Sequence, residues 1–385
     1  MDNSILVVES DPFIREVLGK RLRNLGCEVD EACAGPEALA KMEGHRPDLV
    51  ISNWGLPGMD GQELCRRIKG SGETRSIYFI LLTAHDQDDE VVATLEAGAD
   101  EYLVKPVDLK QLLARVKAGL RIVNLQRELE QSNAQLNEAL RQIDSELQVV
   151  ARIQRSLLPQ ALPCVQGLDF GAFYRPSSRS GGDYYDVLAL GEGRLGLVMA
   201  DVSGHGAPAM VAMSLARFLV HNAAAEEHSP GRLLSTLNRK LTGHLPTEQY
   251  ITMFYGILDP ARGALVYSSA GQTPPLWMQG PSGAIEALPR CEGFPLKLVR
   301  PDVTYDDSEL QLRGGDTLLL YTDGVSDTLN EDLELFGLER LKRSLRKHRS
   351  APANARVTRI VEDADAFAAG QPQNDDITLL AIDFH

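Results

Sequence analysis

Clustered cysteine, positive charge and long apolar runs are what this chain has little of. Its five cysteines (Cys27, Cys33, Cys65, Cys164 and Cys291) are odd in number and scattered, with no CxxC pair, so neither a disulfide framework nor a cysteine zinc site is indicated. They read as packing residues. Lys and Arg total 39 against 54 Asp and Glu, a formal net charge of -15, whereas nucleic-acid binding draws its affinity from basic side chains that neutralise phosphates. A nucleic-acid partner is not expected. No apolar stretch reaches membrane-spanning length, and the amino terminus, MDNSILVVESD, carries an acid at Asp2 and too short an apolar run for a signal-peptide core. The expectation is a soluble cytoplasmic protein without a membrane partner.

What is present is ordinary globular chemistry, 43% hydrophobic and 24% charged, over 385 residues. Domains usually run about 100–200 residues, so two domains and a connector are expected. From residue 4 to about 118, apolar runs (ILVVE, DLVIS, YFILLTA, DEYLVKP) alternate with helical stretches such as FIREVLGKRLRNLG and GPEALAKMEG. Strands without polar alternation, separated by helices, predict a doubly wound parallel sheet covered on both faces. In that architecture functional groups gather at the carboxyl ends of the strands.

Residues 119–158 predict one polar helix with an apolar seam. Ile122, Leu129, Leu136, Ile143, Val150 and Leu157 recur every seven residues, interleaved with Leu125, Ser132, Ala139, Glu146 and Ile153. This is coiled-coil spacing, weakened at Ser132 and Glu146, and it predicts a parallel homodimer; the alternative is a seam packed on the chain's own domains. Pro159 and Pro163 then end the helix. From about 165 to 385 strand-like runs with turn punctuation predominate, interrupted by helical stretches at 208–225, 231–241 and 338–349, which predicts an α+β sandwich of antiparallel sheets flanked by helices. The basic stretch ERLKRSLRKHR, with Leu338, Leu341 and Leu345 on one side, reads as a solvated outer face in preference to a rim for an acidic partner.

Acids sit beside glycines or at strand ends in GGDYYD (Asp183, with Asp186), ADVSGHG (Asp201), YTDGVSD (Asp323) and NDDIT (Asp375 and Asp376). Each alone is more often a turn than a ligand. Converging, they would suit hard divalent cations, which take oxygen ligands, and two such ions activate water for displacement at phosphorus. Their order, with SSAGQTPPLW between the second and third, resembles the SpoIIE/RsbU branch of the metal-dependent protein phosphatase (PPM) family across 165–385.

That resemblance implies hydrolysis of phosphoserine or phosphothreonine on a protein by water activated between two Mn²⁺ or Mg²⁺ ions. It implies Asp201 as the carboxylate shared by both ions, Val202 as a backbone carbonyl donor, and Asp323 and Asp375 as ligands of one ion. Asp183 completes the set, with Asp186 and Asp376 as secondary candidates. His205 is either a proton donor to the leaving oxygen or a loop histidine that merely hydrogen-bonds. Gln272 stands where the branch commonly has histidine, outside the metal motifs. The branch also implies a STAS-type anti-sigma factor antagonist as substrate, and the stretch ELQVVARIQRSLLP resembles its regulatory helix.

Residues 1–118 resemble a response-regulator receiver. Strand ends VVESD, ISNWGLPGMDG, LLTAH and YLVKP put Thr83 and Lys105 at the phosphoryl-sensing positions and Tyr102 at the aromatic switch position. Two departures stand in one pocket. Asn53 occupies the phosphoacceptor place, and an amide is neither the nucleophile nor a good magnesium ligand. Ser10 replaces one member of the acid pair, leaving Glu9, while Asp11 reads as the cap of the next helix. A pseudo-receiver with no metal in its pocket is expected, controlling the phosphatase through the coiled coil. The rivals are a non-catalytic adaptor that binds a sigma factor or its regulator, which retention of the acids opposes, and a conventional phosphorelay output, which Asn53 opposes.

Overall fold

A computed structural model describes residues 3–84, 96–246, 248–289, 291 and 293–385. The chain divides into two compact units, Met1–Leu140 and Arg141–His385. Among the described residues no helix is long and apolar enough to cross a membrane.

In the first unit, strands β1 (Ser4–Val8), β2 (Glu28–Ala32), β3 (Leu49–Asn53), β4 (Tyr78–Thr83) and β5 (Glu101–Val104) form a parallel sheet in the order β2-β1-β3-β4-β5. Successive side chains on a strand point to opposite faces. Ile5, Val7, Leu49, Ile51, Ile80 and Leu82 pack against Leu18 and Leu22 of α1 (Pro12–Arg23), while Leu6, Val8, Val50, Phe79 and Leu81 pack against Leu64 and Ile68 of α3 (Gly61–Gly70). Both faces are buried, which is why these strands carry unbroken apolar runs. Asp11 caps α1 as its sequence predicts, accepting from the Phe13 and Ile14 amides at 2.8 and 3.2 Å, with Pro12 in the first turn where its missing N–H does no harm. The end of the LLTAH motif, His85, lies outside the described residues.

The helix expected over 119–158 starts earlier than the heptad pattern does. It starts at Leu109 as part of the receiver unit and runs unbroken to Leu157, here called α4; α2 (Gly35–Gly44) precedes it in the sheet covering. Its early turns are receiver core, with Leu112, Val116 and Leu120 buried, and its Arg127 guanidinium pairs with the buried Asp48 carboxylate. The middle of the seam is bare in the single chain: Ile122, Leu125, Leu129, Leu136 and Ile143 are all exposed, Leu129 at 61%. The last seam positions go elsewhere. Val150 packs on the core of the second unit and Leu157 is half-buried, because the face at Val150, Gln154 and Leu158 turns inward at four-residue spacing.

The second unit holds two five-stranded sheets, antiparallel at every pairing. One has the order β13-β10-β9-β8-β7, built from β7 (Tyr184–Ala189), β8 (Leu195–Val202), β9 (Ile251–Asp259), β10 (Ala264–Ala270) and β13 (Ser308–Gln311). The other has the order β12-β11-β14-β15-β6, from β6 (Leu168–Arg175), β11 (Leu276–Met278), β12 (Ile285–Ala287), β14 (Thr317–Tyr321) and β15 (Ile377–Phe384). Leu318, Leu320, Leu380 and Ile382 face the first sheet, whereas Leu319, Tyr321, Leu379 and Ala381 face outward onto α8 (Gly337–Lys347) and α9 (Ala353–Ala368). Helices α5 (Ala207–Ala224) and α6 (Pro230–Leu241) cover the other sheet, completing helix, sheet, sheet, helix layers.

Helix α9 was not expected, although Val357, Ile360, Val361 and Ala364 trace a buried stripe along it. The basic stretch forms α8, where Leu341 and Leu345 are buried and Leu338 is 38% exposed. Its cations Arg340, Lys342 and Lys347 pair with Glu334, Glu339 and Asp363, as a solvated outer face would.

Candidate active site

Antiparallel pairing puts four of the acid motifs at one end of the sandwich. β7 begins where β8 ends, with Tyr184 opposite Ala200, so Asp183 and Asp201 are brought together on one sheet. β14 ends where β15 begins, with Tyr321 opposite Leu379, so Asp323 and Asp375 come together on the other. Asp323 opens the one-turn helix α7 (Asp323–Ser326) directly after β14.

Hydroxyls and glycines tie these ends to each other. Asp183 is wholly buried; its Oδ2 accepts from the Thr322 and Thr378 hydroxyls, while its Oδ1 is buried with no hydrogen-bond partner. Asp376 is a strut. Its Oδ1 accepts from the Ser177 amide (2.7 Å) and hydroxyl (3.0 Å), and its Oδ2 from the Gly182 amide (2.7 Å). A Cβ on Gly181 would lie 1.9 Å from Asp376 Oδ2, and one on Gly182 would lie 2.6 Å from the Val202 carbonyl oxygen. The two glycines of GGDYYD are therefore required by close approach on both sides.

The electrostatics follow from crowding. Burial and the charges of Asp201 and Asp376 push the Asp183 carboxyl well above its ordinary range, against the two threonine hydroxyls that favour its ionised form. Asp201 is pushed up to about 7 by burial and by Asp323, Asp375 and Asp376. Burial, with Asp375 and Asp327, raises Asp323; burial, with Asp376 and Asp327, raises Asp375, which the Asp376 amide and the nearby His205 charge partly offset. Among the described residues no arginine or lysine pairs with this group as Lys105 pairs with Glu9 in the receiver unit.

Among the described residues no three acidic, histidine or cysteine side chains already form a closed ligand shell. The donor set nevertheless fits a hard divalent cation: oxygen donors only, the carboxylates mutually repelling, with one buried oxygen left unpaired at Asp183. Asp183, Asp201, Asp323 and Asp375, with the Val202 carbonyl, are the groups that would hold it.

The remaining sequence candidates fall elsewhere. Asp186 does not join the group: its Oδ2 accepts from the Tyr184 hydroxyl and lies 2.9 Å from His221 Nε2 on α5, and its Oδ1 accepts from the Val187 amide. The Asp376 carboxylate is engaged by three donors, against the single Asp376 amide at 2.8 Å on Asp375. His205 is exposed in the loop before α5. Gln272 is buried, with Oε1 2.6 Å from the Thr252 hydroxyl and Nε2 donating to the Tyr321 carbonyl at 3.4 Å, so it links the two sheets behind the acids. Sequence reasoning missed Thr322, Thr378 and Ser177; a threonine inside both YTDG and NDDIT was the available signal.

In the receiver unit the acid is fully engaged. Glu9 Oε1 accepts from Asn53 Nδ2 (3.1 Å), from the Asp11 amide (3.1 Å) and from the Ser10 hydroxyl (3.4 Å), and Oε2 accepts from Lys105 Nζ at 3.2 Å. The other hydrogen of the Asn53 amide reaches the Gly55 carbonyl at 3.3 Å. Thr83 is buried nearby at the end of β4.

Comparison with known proteins agrees with both units. The response regulator receiver domain model matches residues 5–117, and the stage II sporulation protein E (SpoIIE) model matches residues 191–385, just over half of the chain. The receiver part is similar to the phosphate regulon transcriptional regulatory protein PhoB of Rhizobium meliloti (strain 1021), 44% identical over 117 residues, which are 30% of this chain and 52% of that one. The chain thus spans about half the length of such receiver relatives. The phosphoserine phosphatase RsbU of Bacillus subtilis (strain 168) is 28% identical over 254 residues, 66% of this chain and 74% of its own. The solved SiaA-PP2C domain of Pseudomonas aeruginosa superposes with a TM-score of 0.58 at 24% identity, over 64% of this chain and 99% of that one, and shares the fold. The chain belongs to the SpoIIE family, with a response-regulator receiver domain fused ahead of a PPM-type phosphatase domain.

Proposed function

We propose that this chain is a protein phosphatase that hydrolyses phosphoserine or phosphothreonine on a partner protein, a phosphorylated STAS-type anti-sigma factor antagonist, using two Mn²⁺ or Mg²⁺ ions. The observation that carries the reading is the acid end of the sandwich, where Asp183, Asp201, Asp323 and Asp375 repel one another and Asp183 Oδ1 has no partner. A binding-only adaptor gains nothing from buried, uncompensated carboxylates. Divalent ions held by these carboxylates and the Val202 carbonyl would supply an activated water and neutralise charge on the phosphoryl oxygens.

The chain's own residues supply placement. Thr322 and Thr378 fix the direction of Asp183, Asp376 fixes the loop before it, and the strand end of β8 fixes Asp201. His205, exposed at the rim and close enough to Asp375 for its charge to be felt there, serves as proton donor to the leaving serine oxygen. No serine or cysteine nucleophile is invoked.

Regulation, on this reading, comes from the receiver domain through α4. Its exposed apolar seam supports a parallel homodimer over the stretch from Ile122 to Ile143, shorter than the 119–158 of the heptad pattern. Asn53 and Ser10 support control by a partner or by dimer state without phosphorylation of this domain.

Purified protein assayed on a phosphoserine STAS protein and on p-nitrophenyl phosphate, with Mn²⁺ or EDTA, tests the enzyme reading. Hydrolysis that needs the metal and disappears in Asp201→Asn is expected; undiminished turnover in EDTA, or none on either substrate, overturns it. For the dimer, Leu129→Glu should turn a dimeric mass into a monomeric one by light scattering.

A further inference from the structure

The last turns of α4 hold a polar side chain where packing alone would ask for an apolar one. Gln154 is 1% exposed, on the inward face between Val150 and Leu158. Its amide is spent on one backbone residue: Nε2 donates to the Gly181 carbonyl at 2.7 Å, and Oε1 accepts from the Gly181 amide at 3.0 Å. A carboxamide thus pairs edge to edge with a loop peptide as a neighbouring strand would.

Gly181 stands two residues before Asp183 and has no freedom on its other side. A Cβ there would run into Asp376, whose carboxylate also holds the adjacent Gly182 amide at 2.7 Å. The loop is therefore clamped between Gln154 on the helix and Asp376 of the last acid motif, just before β15. Farther up the same helix, Asp144 pairs with Arg179 of this loop. The Tyr174 hydroxyl is buried beside this loop, where burial and the Asp376 and Asp183 charges push it up.

We propose that Gln154 is the positioning residue through which α4 sets the geometry of the metal site. The contact is directional, unlike the apolar contacts at Val150 and Leu158, so a shift or rotation of the helix of about an ångström breaks both hydrogen bonds at once. Gly181 is then released, and Asp183, the acid with the unpaired oxygen, loses its placement. This deepens the phosphatase reading and rests on it.

The test uses the full chain. Gln154→Met keeps the side-chain length and removes the amide; Gln154→Glu keeps an acceptor for the Gly181 N–H and removes the donor. Ile360→Ala, a core truncation on α9, controls for general loss of stability. Mn²⁺ binding is measured by electron paramagnetic resonance of the free ion, and backbone hydrogen exchange is followed over residues 178–184. Gln154→Met is expected to weaken Mn²⁺ binding about tenfold or more, in the range seen when residues that orient metal ligands are removed, and to speed exchange in that loop. Gln154→Glu should fall between it and the parent, and Ile360→Ala should leave Mn²⁺ affinity unchanged. If Gln154→Met does not fold, Gln154→Glu carries the comparison. Mn²⁺ affinity in either glutamine variant equal to the parent, or lowered no further than in Ile360→Ala, overturns the proposal. A parent protein that binds no Mn²⁺ removes the phosphatase reading itself.

Discussion

Two acidic pockets in this chain show opposite solutions to the same problem. In the receiver domain, the buried Glu9 meets an amide, a hydroxyl, a backbone N–H and an ammonium, so every charge inside the pocket has an internal counterpart. In the phosphatase domain, Asp183 is buried with one oxygen unpaired, and its neighbours are other acids. The first pocket is complete as the chain makes it. The second is chemically unfinished, and the stability given up by its repulsion is what a bound cation would return.

The largest effect should come from the unfinished pocket. Asp323→Asn removes a carboxylate at the end of β14 and is expected to lower kcat at least about 100-fold, about 2.7 kcal/mol on the barrier, in the Mn²⁺-dependent assay. Stability should move the other way. Without metal, Asp201→Asn relieves a half-buried charge beside three acids and should raise stability by about 1–2 kcal/mol in urea unfolding, whereas Mn²⁺ should stabilise the parent and not the variant. A variant less stable than the parent in EDTA would mean that the acids are not in conflict.

Substitutions in the finished pocket should act on the stability of the receiver domain, with far less effect on turnover. Lys105→Met leaves Glu9 with neutral donors only and is expected to destabilise the receiver domain by about 1–3 kcal/mol, with phosphatase turnover of the Mn²⁺-loaded chain changed less than in Asp323→Asn. The smallest effect is expected from Asn53→Asp. It exchanges a donor for a second acid beside Glu9, so it should cost about 1 kcal/mol in EDTA and recover with Mg²⁺, read as a Mg²⁺-dependent melting temperature that the parent lacks. A parent receiver that melts higher in Mg²⁺, or that labels with acetyl phosphate, would erase the contrast between the pockets.

The sequence was most legible where one physical cause dominates. β15 reads ITLLAIDF because helices cover one face and a sheet covers the other, and the parallel receiver strands are equally plain. Acids at strand ends were visible for the same reason: glycine and a strand terminus leave few other residue types in those places. What stayed hidden depends on contacts far apart in sequence. Asp375 and Asp376 are adjacent letters, yet one is held by three donors from residues 177 and 182 while the other is left near the acids. Gln154 looks like a surface residue of a polar helix, because its partner lies in a loop beyond the next strand. Helix α9 was overlooked because alanines and acids dilute its apolar stripe, and the start of α4 because a heptad pattern does not mark where a receiver helix ends and a connector begins.

The closed arrangement of Glu9, Asn53 and Lys105 also bears on time. A phosphorylated aspartate carries its own clock, since the acyl phosphate hydrolyses and resets the domain whether or not anything else happens. If Asn53 leaves the domain unphosphorylated, as proposed, there would be no such timer, and an input state would last only as long as whatever binds the domain stays bound. Signal duration would then become a dissociation rate, open to tuning by the partner's concentration and residence time.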